Sequence, residues 1–345
     1  MGIDSHTRQV NGRPVKARAM RMEAIVQDEY GEAMDVLRLA EIERPVIGDG
    51  EVLIRVRAAG VDQGVWHIMT GLPYPIRLAG YGFRAPKTHV RGREVAGHVE
   101  QVGKSVTTMR PGDEVFGIAE GSFAEYARAT PDKLAPRPAF LTFAQAAVVS
   151  VSALTALQAV RDHGHVKAGQ KVLIIGASGG VGMFAVQIAK AFKAEITGVC
   201  GTAKTEMVRS LGADTVIDYT SEDITDSGVR YDVILDIGGN RSLRHLRRAL
   251  APRGTLVIVG GETRGRWLGG TDRLLRVALL SRFVRQRLTT FVCSENARDL
   301  MILSRLIESG AVVPVVDRTY PLSETPTAVQ YLRDGHARGK VVISV

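Results

Sequence analysis

The spacing of hydrophobic and polar positions divides the chain near residue 140. Upstream, short apolar runs with β-branched residues are separated by Gly, Pro and Asp turns, which is typical of a compact, partly open all-β unit. The predicted strands span residues 23–26, 36–39, 52–59, 99–102, 114–118 and 124–127. Downstream, Thr142 and Gln145 form a capping box that opens an Ala- and Val-rich helix reaching Val160, so we expect a new domain there.

Beyond residue 170, predicted strands and helices alternate, as a doubly wound parallel sheet requires. The predicted strands span residues 171–175, 195–199, 215–217, 233–235 and 255–259, and a helix spans 204–211. The chain then closes with two helices and a strand over 340–345. This order predicts an α/β domain after the β-rich one.

An amphipathic helix is predicted over residues 272–288, with leucines and Phe283 on one side and arginines on the other. We expect it to pack over its own domain or against a partner subunit. The same pattern also suits a helix lying on a membrane surface.

A glycine-rich loop joins the strand over 171–175 to an apolar helix that runs to Lys190. Gly179 and Gly182 fit the second and third glycines of the dinucleotide fingerprint, and Ala177 stands where the first glycine is usual. The free N–H groups at the helix start, with the helix dipole, favour a bound diphosphate. A glycine-rich turn in an unrelated α/β protein is the alternative.

Composition narrows the class of protein. The chain has 345 residues, 45% of them hydrophobic, which suits a globular protein of about two domains of roughly 150 residues each. The two cysteines, Cys200 and Cys293, are too few for a disulfide framework or a four-thiolate zinc site, and they suit a reducing cytoplasm. Since no apolar run reaches the ~18 residues of a membrane span, we expect a soluble protein.

The net charge of +9 is spread along the chain. Residues 1–21 are basic and lack hydrophobic periodicity, so a disordered tail is expected there, either a simple extension or a targeting or nucleic-acid-binding arm. Since no aromatic stacking pattern accompanies the basic residues, we expect no specific nucleic-acid partner. Attraction of an anionic cofactor or substrate explains the charge as well.

Several strings together carry a family resemblance. They are Gly92-Arg93-Glu94-Val95-Ala96-Gly97, Arg110-Pro111-Gly112-Asp113-Glu114-Val115, Gly121-Ser122-Phe123-Ala124-Glu125-Tyr126 and Ala177-Ser178-Gly179-Gly180-Val181-Gly182. With the order of domains, the chain from Met22 onward resembles the medium-chain dehydrogenase/reductase superfamily and is most similar to its zinc-independent quinone oxidoreductase branch. The resemblance implies a GroES-like catalytic domain over 22–141 and 292–345 and a Rossmann NADPH-binding domain over 142–291.

The zinc-dependent members of this superfamily hold catalytic zinc through a Cys, a His and a second Cys. The matching positions here are Asp62, Arg93 and Ser150. Arg cannot ligate a cation, and catalytic zinc needs about three protein ligands, so we expect no metal site. Asp62 and Arg93 are expected either to form an ion pair that fills the former metal cavity or to position substrate.

Without a Lewis acid, conjugate reduction is easier than ketone reduction, because one or two hydrogen-bond donors can stabilise the charge that spreads to a distant oxygen. The resemblance places the loop between Asp62 and Arg93 at the domain cleft. Candidate donors there are Trp66, His67, Tyr74 and Tyr81, and each is also explained as a structural residue. The catalytic candidates are Asp62, His67, Tyr81 and Arg93.

The predicted cofactor is NADPH. Where an NAD-binding fold offers Asp or Glu after its second strand, this chain has Cys200, followed by Lys204, which can attract a 2′-phosphate. Tyr219 matches a phosphate-contacting position of the family, although either residue is also explained as a surface group. The candidate cofactor-binding residues are Thr155, Ser178, Gly179, Gly180, Val181, Gly182, Lys204, Tyr219, Gly260, Phe291 and Lys340.

The expected function is NADPH-dependent, zinc-independent reduction of a small electrophilic substrate, a quinone or an activated C=C bond, by a cytoplasmic homodimer. Two alternatives stay open. One is a cofactor-binding module without turnover, either redox-sensing or RNA-binding. The other is an alcohol dehydrogenase.

Overall fold

The computed structural model describes residues 20–239, 241–260 and 271–345. The predicted basic tail lies outside the described residues except for Met20 and Arg21. Arg21 already belongs to the first strand, so β structure begins at the last residue of the predicted tail.

The strands of the described chain follow one another in this order: β1 (Arg21–Val26), β2 (Arg38–Glu43), β3 (Val52–Val61), β4 (Glu94–Val102), β5 (Glu114–Ile118), β6 (Tyr126–Ala129), β7 (Leu134–Pro136), β8 (Lys171–Ile175), β9 (Glu195–Cys200), β10 (Thr215–Asp218), β11 (Tyr231–Asp236), β12 (Leu250–Ile258), β13 (Arg287–Thr290), β14 (Val316–Pro321) and β15 (Lys340–Ser344). The α-helices are α1 (Ala33–Val36), α2 (Gln63–Thr70), α3 (Phe143–Ala147), α4 (Ser150–Gln158), α5 (Gly180–Ala191), α6 (Thr205–Ser210), α7 (Leu243–Ala249), α8 (Thr271–Leu280), α9 (Ala297–Glu308) and α10 (Thr325–Arg333).

A mixed sheet organises the β-rich part of the chain. Its order is β14-β15-β3-β4-β5-β7, with β6 also paired to β3. The C-terminal strand β15 runs antiparallel to β3, with Val342 opposite Gly60, so the end of the chain returns to the first sheet. Alternate residues of β3 such as Ile54 and Val56 are buried in its core with Met69 of α2 and Val329 of α10.

A parallel sheet organises the middle of the chain, in the order β10-β9-β8-β11-β12-β13. Its central strands are short apolar runs, as expected of strands covered on both faces. One face packs on a cluster that includes Phe184 of α5, and the other packs on a cluster that includes Leu246 of α7. When these six strands are numbered by their position along the chain, their order across the sheet is 3-2-1-4-5-6, which confirms the predicted Rossmann-type fold.

One apolar cluster joins the two sheets. It contains Phe116 of β5, Leu154 of α4, Ile174 of β8 and Val342 of β15. The helix α3 begins just after the predicted boundary near residue 140, with the predicted capping box of Thr142 and Gln145, and α4 follows it as a separate helix. Residues of α4 belong to the shared cluster, so this helix lies between the sheets. The strands of the mixed sheet lie within 22–141 and 292–345, and those of the parallel sheet lie within 142–291. The bounds of the two domains stay a prediction.

Two predicted elements differ from the structure. The helix over 272–288 ends at Leu280, where the hydrogen bonds from Arg282 N to Leu279 O and from Phe283 N to Leu280 O turn the chain. Arg287 and Leu288, at the end of the predicted helix, belong instead to β13, in which Leu288 is buried and pairs with Leu256 of β12. The strand predicted over 36–39 begins only at Arg38, because α1 occupies Val36. In both places, a short apolar run fits helix and strand equally well.

Candidate active site

The glycine loop makes its sharp turn at Gly176, directly after β8. Gly176 has φ +83°, a left-handed conformation that favours glycine, whereas Ala177 is fully buried. The tight turn therefore falls one residue before the position matched to the first fingerprint glycine. Close packing requires glycine at position 182, because a Cβ there would lie 2.1 Å from the Gly176 carbonyl oxygen.

The start of α5 has the features of a diphosphate cradle. Gly179 is its N-cap with φ −83°, and no side chain of the described residues caps the helix. The first N–H groups therefore point into the loop without side-chain acceptors. A Cβ at Gly179 would meet only the Gly176 carbonyl oxygen, at 3.4 Å, so the space in front of the loop is open. A nicotinamide dinucleotide fits this arrangement, and contact of its diphosphate with Ser178, Gly180 and Val181 stays a prediction.

At the end of β9, Cys200 occupies the place of the ribose-binding carboxylate and is buried. Tyr219 lies next to it with an exposed ring, and its hydroxyl is 3.2 Å from where a Gly201 Cβ would lie. Lys204 donates hydrogen bonds to the carbonyl oxygens of Gly335 at 2.9 Å and Ala337 at 2.8 Å. Burial lowers its pKa. The structure thus brings Lys204 and Tyr219 to one strand end and also gives Lys204 partners that sequence reasoning missed.

Gly260 and Phe291 have packing roles of their own. A Cβ at Gly260 would lie 2.2 Å from the Ile237 carbonyl oxygen, so close approach of two chain segments requires glycine there. The Phe291 ring stacks on His163 with 4.2 Å between ring centroids. Burial lowers the pKa of His163, which favours its neutral form in this stack. Cofactor contact by Gly260 and Phe291 stays a prediction.

Thr155 lies on α4 and donates to the Val151 carbonyl oxygen at 2.8 Å. Its side chain also hydrogen-bonds to Cys293, whose pKa is raised to about 11 by burial. Cys293 is therefore a neutral thiol at physiological pH. Thr155 thus connects the cofactor domain to the segment that leads from β13 into α9.

Lys340 belongs to a buried network rather than to an open binding surface. Its ammonium donates to Glu94 at 2.7 Å and to Ser152 at 3.1 Å. Glu94 also accepts from Val151 N at 2.8 Å. Burial raises the pKa of Glu94, and Lys340 offsets part of this effect. Since a Cβ at Gly180 would lie 3.3 Å from Lys340 Cδ, the network lies directly beneath the glycine loop.

The positions matched to zinc ligands hold a helix cap and a hydroxyl. Asp62 is the N-cap of α2, and its Oδ1 accepts from Gly64 N at 2.6 Å and Val65 N at 3.3 Å. Its Oδ2 is buried without a donor among the described residues. Ser150, the first residue of α4, is fully buried, and its hydroxyl likewise has no partner there.

Arg93, at the third of these positions, pairs with Glu295. The other oxygen of Glu295 accepts from Lys133 at 3.1 Å. Burial lowers the pKa of the Arg93 guanidinium, but Glu295 and then Asp62 and Tyr81 raise it, and the net pKa lies above its ordinary value. The expected ion pair between Asp62 and Arg93 is therefore not formed. Arg93 pairs with Glu295 instead, and the Asp62 carboxylate accepts hydrogen bonds from the backbone of α2.

Tyr81 stands beside Arg93 on a loop with its own anchor. The Tyr30 hydroxyl donates to the carbonyl oxygens of Tyr81 at 3.0 Å and Gly82 at 2.6 Å. The Tyr81 side chain, with Arg93 and Glu295, lines a cavity of about 410 Å³. Val65, Arg91 and Lys133 line it as well. The cavity brings two of the predicted catalytic residues together.

The other candidate donors lie elsewhere. His67 Nδ1 is 2.9 Å from the Leu72 carbonyl oxygen, and the indole of Trp66 donates to Glu32 at 3.4 Å. Tyr74 packs against the Arg77 guanidinium. Among the described residues, none of these three side chains lines the cavity. The His67 ring faces the turn after α2 and lies outside the lining of the cavity, so its catalytic role stays a prediction.

The described part of the chain contains no group of three or more His, Cys, Asp or Glu side chains placed to hold a metal ion. It also contains no helix that is both long and apolar enough to cross a membrane.

Comparison with known proteins identifies the family. Residues 48–139 match the alcohol dehydrogenase GroES-like domain, and residues 211–343 match the zinc-binding dehydrogenase family. The mitochondrial NAD(P)H oxidoreductase RTN4IP1 of Bos taurus is 33% identical over 95% of this chain and 90% of its own. The chain belongs to the medium-chain dehydrogenase/reductase superfamily, in its quinone oxidoreductase branch.

Two other members of the superfamily extend the likeness. The chloroplastic NADPH-dependent alkenal/one oxidoreductase of Arabidopsis thaliana is 34% identical, over 93% of this chain and 79% of its own. The structure of the quinone oxidoreductase from Coxiella burnetii aligns with a TM-score of 0.82 and 28% identity, over 94% of this chain and 100% of that chain. With these relatives, the chain is an NAD(P)H-dependent oxidoreductase with the GroES-like and Rossmann-type fold.

Sequence reasoning missed Glu295, Lys133 and Arg91. Glu295 lies 202 residues after Arg93 and reaches it only because the segment between β13 and α9 returns to the β-rich domain. A local pattern carries no signal for such a pair. For Arg91, the sequence signal is its position two residues before Arg93, in the same short segment.

Proposed function

We propose that this oxidoreductase uses NADPH to reduce quinones or activated C=C bonds without a metal. The observation that carries the proposal is the cavity that holds Tyr81 and the Arg93–Glu295–Lys133 cluster at the position matched to the family's zinc. Arg93 stands at the position matched to a zinc ligand, and its guanidinium would supply fixed hydrogen-bond donors in place of a Lewis acid.

NADPH is the form of the cofactor that the residues favour. The loop from Gly176 to Gly182 would hold the diphosphate, and Lys204 and Tyr219 would face the adenosine ribose. No carboxylate stands at Cys200 to repel a 2′-phosphate. Two free cysteines support a reducing compartment, and we propose the cytoplasm and a homodimer.

When bound, the nicotinamide supplies a hydride, and the acceptor takes it at the β-carbon of an enone or at a quinone. Arg93 and Tyr81 stabilise the negative charge that develops on the substrate oxygen by donating hydrogen bonds to it. Glu295 orients the Arg93 guanidinium, and Lys133 adds positive charge on the other side of that carboxylate. A proton from solvent at the α-carbon completes the saturated ketone, so that one NADPH and one proton are consumed for each C=C bond.

The test is NADPH oxidation by the purified protein against a quinone, an enone, an enal and a saturated ketone. We expect oxidation with the first three acceptors and none with the saturated ketone, because its reduction lacks a Lewis acid here. Arg93→Met should lower kcat for the enone about a hundredfold, within the range measured for loss of an oxyanion donor. Tight NADPH binding without turnover on any acceptor would instead favour a binding module, and reduction of the ketone alone would favour an alcohol dehydrogenase.

A further inference from the structure

Arg91 is a buried cation in the wall of the same cavity. Only 3% of its surface is exposed, and it lines the cavity with Arg93 and Tyr81. Its backbone is fixed between two segments, because Arg91 N donates to Ile25 O and Arg91 O accepts from Phe123 N at 2.9 Å. The side chain therefore starts from a rigid point.

The guanidinium of Arg91 is largely unpaired. Of its five N–H donors, Nη2 bonds to Thr88 Oγ1 at 3.1 Å, whereas Nε is buried without an acceptor among the described residues. No carboxylate of the described chain lies within salt-bridge distance of it. Burial lowers its pKa to about 10, so it still carries its charge at neutral pH.

Three other cations around the cavity differ from Arg91 in this respect. Arg93 and Lys133 share Glu295, and Arg128 holds Glu120 through two hydrogen bonds at 2.9 and 2.7 Å. A buried charge without a counterion is costly, whereas a paired one recovers much of that cost. Arg91 thus has the chemistry of half an ion pair whose other half is not among the described residues.

We propose that Arg91 binds a carboxylate carried by the electron acceptor, so that the preferred substrates are enones or enals with an acidic group remote from the reacting C=C bond. This inference rests on the proposed function. A planar guanidinium with free Nε and Nη donors matches a carboxylate in a two-bond geometry. A single negative charge also suits a deeply buried partner better than a doubly charged phosphate, whose desolvation costs more. Exposed Lys87, which also lines the cavity, adds positive potential there.

The experiment compares an enone that ends in a carboxylate with its methyl ester, which has the same C=C bond and no charge. We expect wild-type kcat/KM to favour the acid about tenfold to a hundredfold, in line with a charge-assisted hydrogen bond. Arg91→Met should bring the acid-to-ester ratio close to one, and Arg91→Lys should leave an intermediate ratio. Arg128→Gln is the matched control, since it removes a cation of the same wall that already has a partner, and its ratio should stay at the wild-type value.

A binding measurement separates this inference from the proposed function. The wild-type Tm is measured with a saturated keto acid, with its methyl ester and with inorganic phosphate. A rise in Tm with the keto acid alone, lost in Arg91→Met, supports the site even if no acceptor is reduced. Should Arg91→Met fail to fold, the wild-type comparison of acid with ester decides by itself. Equal kcat/KM and equal Tm for acid and ester would overturn the proposal, and so would phosphate stabilising as strongly as the keto acid.

Discussion

Two glycines of the loop after β8 differ in what a side chain would meet. A Cβ at Gly179 has open space except for one carbonyl oxygen at 3.4 Å, whereas a Cβ at Gly182 would lie 2.1 Å from the same oxygen. We expect Gly179→Ala to fold with wild-type stability and to bind NADPH more weakly, because the new methyl group occupies the diphosphate space. Gly182→Ala is expected to lose about 1–3 kcal/mol of stability through overpacking. Urea unfolding and NADPH titration of both variants check this, and unchanged NADPH affinity in folded Gly179→Ala would show that the diphosphate lies elsewhere.

At the far end of the cofactor site, Lys204 can discriminate between the two nicotinamide cofactors. A charge-assisted hydrogen bond contributes roughly 1.5–3 kcal/mol, but Lys204 must give up its two carbonyl partners to reach a 2′-phosphate. We therefore expect Lys204→Ala to raise the KM for NADPH about tenfold and to change the KM for NADH little. Tyr219→Phe should act in the same direction and more weakly. An equal rise for both cofactors would mean that Lys204 serves only to hold the loop over 335–337.

The residues of the site differ in how far sequence predicts them. The glycine loop, Arg93 and Tyr81 could be predicted, because each stands in a local string or in a loop whose place the family pattern gives. Glu295 could not be predicted, since its pairing with Arg93 requires the segment after β13 to fold back onto the β-rich domain. The direction of the His67 ring, which faces Leu72 from α2, could not be predicted either, because it depends on helix phase rather than on the presence of a histidine in this segment.

At the scale of elements, Asp62 shows how one position changes its role. A metal-binding Cys would project its side chain from the end of β3 into the cleft. Asp62 instead caps α2 with one carboxylate oxygen. An N-cap contributes about 1 kcal/mol to stability. Asp is a preferred N-cap residue, so the sequence carries a signal for this role of Asp62 beside its match to a metal-ligand position.

The buried pair of Lys340 and Glu94 ties β15, β4 and α4 together. Removing one partner of a buried ion pair leaves an uncompensated charge and costs about 3–5 kcal/mol. We expect Lys340→Met to lose that much free energy of unfolding, measured in urea. The double variant Glu94→Gln with Lys340→Met should lose less than Lys340→Met alone, because no lone charge is left.

Lys190→Met is the matched control for this pair. Lys190 is bonded to Asp214 with both side chains partly exposed, at 47% and 38%, and such a pair contributes about 1 kcal/mol or less. If Lys340→Met costs no more than Lys190→Met, the network beneath Gly180 does not hold the elements together.

At the scale of the whole molecule, the two sheets are joined by packing as well as by the chain. The cluster that contains Phe116, Leu154 and Val342 runs from one sheet to the other, and the cavity with Arg93 lies where the segment containing Glu295 meets the β-rich domain. The two-sheet fold could be predicted, because hydrophobic periods of two and 3.6 residues set the order of strands and helices. The crossing of the chain from one sheet to the other could be predicted only through the family.

Metal independence is the property of the whole molecule that the proposed function predicts. Asp62, Arg93 and Ser150 offer one carboxylate, one guanidinium and one hydroxyl. A catalytic zinc needs about three protein ligands, and this set also places a positive charge at one of the ligand positions. We expect prolonged dialysis against a strong chelator to leave both Tm and the rate of NADPH oxidation unchanged, because in the proposed mechanism neither folding nor charge stabilisation uses a metal ion. Metal content is measured on the same sample before and after dialysis. One zinc per chain before dialysis, with loss of activity on its removal and recovery on its return, would show that another set of ligands holds a catalytic metal and that Arg93 does not replace it.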